Sequence, residues 1–408
     1  MKNLLFRNRV WIIMAVLMAL LPVVFRSDMG LSLLSQMGVA IVFALSYNML
    51  LGQCGLLSFG HAVFFGLGAF FTIHAMALTN AGRLSIPTPL LPLVGAFGGM
   101  IVGIIVGLIA TRRPGATFAM ITLGINELVG SSAMMFDTFF GSETGQSARR
   151  EEWLGISFGS QVEVYYLIAV WVFLCVVLMY AYINTPLGRI SNAVRDNPER
   201  CEFISYDPVR VRSFVVIISG FFAGLAGGLH ALNWEVVSYE TLGLKESAFV
   251  LFMVYIGGAR YFYGPILGAI FVTFLGFYLS AFTEVWLIYV GIVFLIIVLF
   301  APSGVAAILA IHKPLWKKKL LLRVISSYII AILPCLLMSI SAVFLIEIIY
   351  RWSATNYFNP IISLSGIKFN ARGFATWAIP TLGILIGGFL LMKCRSVIKK
   401  VWDQVSEK

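Results

Sequence analysis

The chain has 408 residues, of which 60% are hydrophobic and only 12% charged, and Lys+Arg exceed Asp+Glu to give a net charge of +11. A soluble domain carries about a quarter charged residues, so water is excluded as the main solvent. Apolar runs near twenty residues are long enough to cross hydrocarbon as helices, and their continuity excludes the short alternating segments of a barrel.

In chain order, Lys2, Arg7 and Arg9 precede a first apolar run, Val10–Phe25. This start imitates a signal peptide, but Pro22-Val-Val-Phe-Arg-Ser-Asp lacks a small-x-small cleavage pattern, so an uncleaved first helix is expected. Further crossings are predicted at Leu31–Leu51, Gly60–Leu78, Leu90–Ala110, Ala116–Phe136, Val164–Ile183, Ser213–Leu232, Ser247–Gly258, Phe262–Phe282 and Val285–Ala301. After the basic stop Leu315-Trp-Lys-Lys-Lys, Val324–Tyr350 and Ala375–Met392 add a hairpin joined by Arg351–Phe374. That makes twelve provisional passes, the eighth too short to span in isolation. The predicted fold class is an all-α polytopic membrane protein with about 10–12 transmembrane helices and broken or re-entrant Gly-rich segments. Three parts are expected: residues 1–30, a start and first helix; 31–310, the main bundle; and 311–408, the linker and hairpin.

With both termini on one side, 21 Lys and Arg fall on that side and 8 on the other. Positive charge stays in cytoplasmic loops, so both termini and the polar island 184–212 are predicted to be cytoplasmic. The basic balance then describes lipid-surface topology, and no nucleic-acid partner is implied. The cysteines Cys54, Cys175, Cys201, Cys335 and Cys394 are scattered and form neither a disulfide framework nor a metal-binding pattern.

Four features stand out. The island TPLGRISNAVRDNPERCEFISYDPVRVR, Thr185–Arg212, is about one helix-loop-helix of polar sequence between apolar runs, and reads as a docking element. Leu51-Gly-Gln-Cys-Gly-Leu-Leu-Ser-Phe-Gly-His-Ala places Gly52, Gly55 and Gly60 at membrane depth. Non-helical backbone there is tolerated only inside protein or along a wet cavity, and its half-helix ends offer orphan N–H and C=O groups to a solute. Gly257, Gly258, Gly264 and Pro265 repeat this break later, a weak internal repeat. Gly99, Gly103 and Gly107, and again Gly220, Gly224 and Gly228, form small-residue stripes for close helix packing. Finally, Glu127 with Thr122 nearby is an ionisable residue within a crossing, expected to face a cavity or partner; with Asn48, Ser58 and His61 these residues are the expected translocation path.

Taken together these residues resemble the branched-chain amino acid ABC transporter permease family, specifically its longer, M-type subunit. The likeness runs in order over about residues 30–310. It rests on Asn48…Gly-Leu-Leu-Ser-Phe-Gly-His-Ala, Phe118-Ala-Met-Ile-Thr-Leu-Gly…Glu127, Thr185-Pro-Leu-Gly-Arg…Ala193-Val-Arg-Asp-Asn, Ser219-Gly-Phe-Phe-Ala-Gly, Gly264-Pro-Ile-Leu-Gly-Ala and Phe300-Ala-Pro-Ser-Gly. The resemblance implies an importer subunit of the bacterial inner membrane. Its partners would be two cytoplasmic ABC ATPase subunits, a second homologous permease, a periplasmic solute-binding protein and lipid. ATP would be used by the ATPases, with no cofactor bound here. The island would be the coupling loop, acting through Gly188, Arg189, Ala193, Val194, Arg195, Asp196, Asn197, Asp207 and Arg212, with Val194, Phe203 and Ile204 as apolar anchors. Two departures are visible: Ser205-Tyr206 stands where the family usually has Gly, and the hairpin after Val324 lies beyond the family's usual end.

No Gly-x-x-x-x-Gly-Lys-Ser/Thr loop occurs, and no reactive constellation, so an enzyme is not expected. The rival is a secondary active transporter, which would show an acidic or basic relay across several helices where Glu127 is nearly alone. The solute stays open among branched-chain and other apolar amino acids, amides and urea-like compounds.

Overall fold

The computed structural model describes residues 2–317, 321–354, 361–364, 367–370 and 373–406. Of the basic residues counted above, Lys318, Lys319, Arg372 and Lys408 lie outside the described residues. The helices are α1 (Lys2–Val24), α2 (Asp28–Asn48), α3 (His61–Asn80), α4 (Leu91–Ala110), α5 (Ala116–Ala133), the one-turn α6 (Asp137–Phe140) and α7 (Gln161–Asn184). Then follow α8 (Pro186–Asp196), α9 (Pro198–Phe203), α10 (Pro208–Trp234), α11 (Leu244–Gly257), α12 (Gly264–Phe282), α13 (Trp286–Phe300), α14 (Gly304–Lys317), α15 (Leu321–Ala354) and α16 (Phe374–Ser406). Two small antiparallel ladders complete the described structure. In one, β1 (Gln146–Ser147) pairs with β2 (Val236–Val237); in the other, β3 (Ile361–Leu364) pairs with β4 (Ile367–Asn370).

Each of the twelve apolar runs becomes helix along most of its length, but not every one becomes a span. Among the described residues eight helices are long and apolar enough to cross a membrane, or ten if two bent pairs count as single spans. The run Ala116–Phe136 leaves helix after Ala133, and the chain turns by 90° into 137–144; the second pair, α13 with 304–312, bends by 48°. α11 has 14 residues, about 21 Å of rise against a hydrocarbon core of about 30 Å. The first run supplies only a short apolar helix, Arg9–Val24.

The chain divides into two compact units, Met1–Phe282 with Tyr289–Ala307, and Thr283–Ile288 with Ile308–Lys408. In the first unit α10 is the central helix. Its small-residue stripe packs against that of α4: a Cβ on Gly220 would stand 2.7 Å from the Gly99 carbonyl oxygen, and one on Gly68 of α3 would stand 2.5 Å from Gly224 Cα. Lipid chains are as apolar as Leu, so helices associate there through close backbone contact, which small residues permit. In the second unit α15 and α16 form a hairpin. Glu347 is 3.2 Å from Arg351 one turn on, and Tyr350 donates to Glu284.

Candidate functional site: the polar island and two helix breaks

Three cap-and-proline pairs build the island. The Thr185 hydroxyl accepts from Gly188 N (3.2 Å) to start α8, Asn197 Oδ1 from Arg200 N (3.1 Å) to start α9, and Asp207 Oδ1 from Val209 N (2.8 Å) to start α10. Proline follows each cap at Pro186, Pro198 and Pro208, where its missing N–H costs nothing and its φ suits a helix start. Ser205 takes the left-handed turn between α9 and α10 at φ +67°, the conformation glycine otherwise serves. Beneath these helices Val194, Cys201 and Val211 form a buried apolar cluster, with Ile190 and Ala193 packed against it.

That packing separates the island into two faces. Arg189, Asp196, Glu199, Arg200, Glu202, Asp207 and Arg210 are exposed, around Phe203 (87% exposed), Ile204 (61%) and Tyr206. Val194, expected as an apolar anchor, is instead in the interior because it lies on the α8 face that meets α9 and α10. Gly188 is buried where α8 crosses the end of α7; a Cβ there would strike the Tyr182 carbonyl. Arg212 is also buried, at 8% exposure, since α10 has already entered the bundle. Ala193 and Asn197 are half-buried. Arg195 turns inward: its guanidinium donates to the Gly52 carbonyl and pairs with Asp196 at 2.9 Å.

The first break occupies the expected place. α2 ends in a π turn, Met49–Gln53, and the chain is non-helical from Gly55 to Gly60 before α3. Gly55 has φ +72°, which a side chain would resist. Side chains from three helices, α2, α5 and α11, hold this segment. Tyr47 donates to Ser58 O (3.0 Å), Phe59 N to Thr122 Oγ1 (3.1 Å), and Ala62 N to Ser247 Oγ (2.9 Å), whose hydroxyl donates on to Asn126 Oδ1 (3.2 Å). His61 is fully buried, stacked on Phe43 and edge-on to Tyr47 and Phe64. Since Ser46 Oγ donates to Phe43 O (2.7 Å), His61 Nε2 is the donor in its 2.9 Å contact with Ser46. Ser58, His61 and Thr122, expected along a path, are thus buried where they brace the break, and Asn48 is buried against Gly52.

The second break runs from Gly258, at φ +107°, to Tyr263. Gly257 packs on Gly264, next to Pro265 at the start of α12. The two breaks meet: a Cβ on Gly52 would strike the Ala259 carbonyl. A cleft of about 340 Å³ opens there, between Gly52, Arg195, Tyr255, Arg260 and Ser303.

Glu127 lies elsewhere. It is exposed on α5 and lines a second cleft, about 360 Å³, with Asn126, Ser131, Tyr239, Glu240 and Lys245. Nearby, α10 ends at Glu235, whose carboxylate accepts from Arg150 N (2.8 Å) and faces the Arg150 guanidinium at 3.2 Å. With the β1–β2 ladder this ties the loop after α6 to the end of α10, a role that sequence reading missed for both residues. Among the described residues no group of His, Cys, Asp and Glu is placed to hold a metal ion.

A model of the branched-chain amino acid transport system permease component matches residues 29–302. The chain belongs to this permease family. It is 28% identical over 290 residues to the high-affinity branched-chain amino acid transport system permease protein LivM of Salmonella typhimurium, covering 65% of this chain and 67% of that protein. The LivM of Escherichia coli stands at the same identity and coverage. A probable branched-chain amino acid transport permease protein LivM of Methanocaldococcus jannaschii is 24% identical over 70% of this chain and 95% of its own length. The probable LivH of that organism is 26% identical over 54% of this chain and 73% of its own length. No solved structure matches the chain. The family match ends before α14, and the hairpin α15–α16 lies outside the matched residues.

Proposed function

We propose that this chain is the membrane-spanning permease subunit of an ATP-binding-cassette importer. It carries branched-chain or related apolar amino acids inward across the bacterial cytoplasmic membrane, with both termini and the polar island in the cytoplasm. The observation that carries this reading is the island's exposed face: Phe203, Ile204 and Tyr206 stand in water on capped helices, ringed by charges of both signs. Exposed aromatic and aliphatic anchors inside a charged rim are the anatomy of a protein-docking surface. The partner there is one of two ATPase subunits, which bind and hydrolyse the ATP.

Glu127 supports the rest of the assembly. A carboxylate on a membrane helix does not face lipid without cost, yet Glu127 is exposed in the single chain. The α5 face therefore lines the path where a second, homologous permease subunit meets this one, in keeping with LivM and LivH relatives of one organism both matching the chain. Glu127, Glu240 and Lys245 around the second cleft offer both signs of charge to a zwitterion, delivered by a periplasmic binding protein. Co-purification with the candidate ATPases tests the docking face. Phe203→Ala with Ile204→Ala is expected to weaken ATPase association by roughly ten-fold or more while the permease stays folded. Unchanged association would remove the island as the docking element.

A further inference from the structure

We infer that Arg195 is a transmission strut, joining the island to both helix breaks, rather than a contact offered to a partner; this rests on the reading that the island receives an ATPase. At the end of a helix the last carbonyls lack intrahelical donors. Here Gly55 N bonds Leu51 O and Leu56 N bonds Leu50 O, and the Gly52 carbonyl receives the Arg195 guanidinium instead. A cation at a helix C-terminus also matches the helix dipole. The stem of Arg195 lies flat on the break, so close that a Cβ on Gly55 would stand 2.8 Å from Arg195 Cγ. A second tie runs from the same helix: Asn192 Nδ2 donates to Gln53 Oε1 at 2.8 Å.

From Gly52 onward the contacts are backbone on backbone. Gly52 abuts the Ala259 carbonyl of the second break, and a Cβ on Gly258 would stand 2.5 Å from the Ser303 carbonyl oxygen at the α13–α14 bend. These backbone approaches are close, and packed interiors transmit strain. The cleft of about 340 Å³ is bounded by these same segments, including Gly52, Arg195, Ala259 and Ser303. A shift of α8 driven from its exposed face therefore moves the cleft wall through Arg195. An arginine suits the task because its planar fork serves the Gly52 carbonyl and Asp196 together, where a lysine offers a single ammonium.

The test uses the complete complex, permeases with ATPases and binding protein, in proteoliposomes. Arg195→Ala is expected to keep ATPase association and ATP hydrolysis within about two-fold while uptake per ATP falls roughly ten-fold or more, with Arg195→Lys intermediate. Asn192→Ala should fall in the same direction by less, and it reads the second tie if Arg195→Ala does not assemble. Loss of association in step with loss of uptake would make Arg195 a docking contact and overturn the strut, as would unchanged uptake per ATP. Hydrogen exchange on the permease alone separates this inference from the importer reading. Arg195→Ala should speed exchange at Gly55 and Leu56 roughly ten-fold even if no ATPase binds the wild type. Unaltered exchange there would overturn the strut while leaving the importer reading standing.

Discussion

Helices α10 and α15 invert the rule that governs soluble proteins. The apolar window of α15 is the more hydrophobic, with mean hydropathy 2.8 against 1.9, yet 11% of it is buried inside protein against 78% for α10. In lipid, leaving an apolar side chain outside costs nothing, so burial goes to the helix that gains by close packing. α10 carries Gly220, Gly224, Gly227 and Gly228 with Ser213 and Ser219, and its neighbours meet it backbone to backbone. α15 carries branched and long side chains, Ile329, Ile330, Leu333 and Ile340 among them, and leaves them exposed. Hydropathy reports the solvent of a segment; the small residues report its neighbours.

Substitution at matched glycines strikes hardest at that contrast. Gly224→Leu, pressed against Gly99 backbone at 2.8 Å, is expected to cost about 3 kcal/mol or more. Gly383→Ala in the hairpin meets only the rotatable Ser341 side chain and should cost under about 1 kcal/mol. Unfolding midpoints in detergent measure both, and comparable losses would break the distinction. The cysteines extend it to reactivity. Cys54, buried beside the first break, should alkylate roughly a hundred-fold more slowly than the part-exposed Cys394 of α16, and equal rates would mean that the break is open. In the hairpin, Arg351→Gln removes the cation 3.2 Å from the buried Glu347 carboxylate and should cost roughly 1–2 kcal/mol, more than Arg351→Gln combined with Glu347→Gln. An additive double-mutant cycle would show that the pair contributes nothing. The smallest effect is expected from removing residues 318–408: uptake should stay within about two-fold, because the family match ends at 302. A large loss would make the hairpin part of the transport machinery.

Much of this architecture was legible in residue order. Continuous apolar runs marked the helices, and Gly52–Gly60 and Gly257–Pro265 marked the breaks, because glycine clusters at membrane depth leave few other conformations. The π turn Met49–Gln53 was not legible, since Gly52 marks a break there but not the widened hydrogen-bond pattern that leads into it. Nor was the 90° turn after Ala133, where the apolar run continues to Phe136 without interruption. Arg195 and Arg212, both expected to act in the coupling loop, instead turn inward to Gly52 and lie buried, respectively. Which side of α8 faces inward depends on its contact with Gly52, 143 positions away, and no local pattern encodes it. Two signals were present and unused: the repeated cap-Pro pairs at Thr185, Asn197 and Asp207, and the one-turn spacing of Glu347 and Arg351.

The most direct measurement is solute uptake by purified chain in sealed vesicles, alone and with its companion subunits. We expect accumulation that requires the ATPases and ATP, falls to background without either, and is indifferent to an imposed proton or sodium gradient. Uphill uptake by the permease alone on an ion gradient would contradict the account.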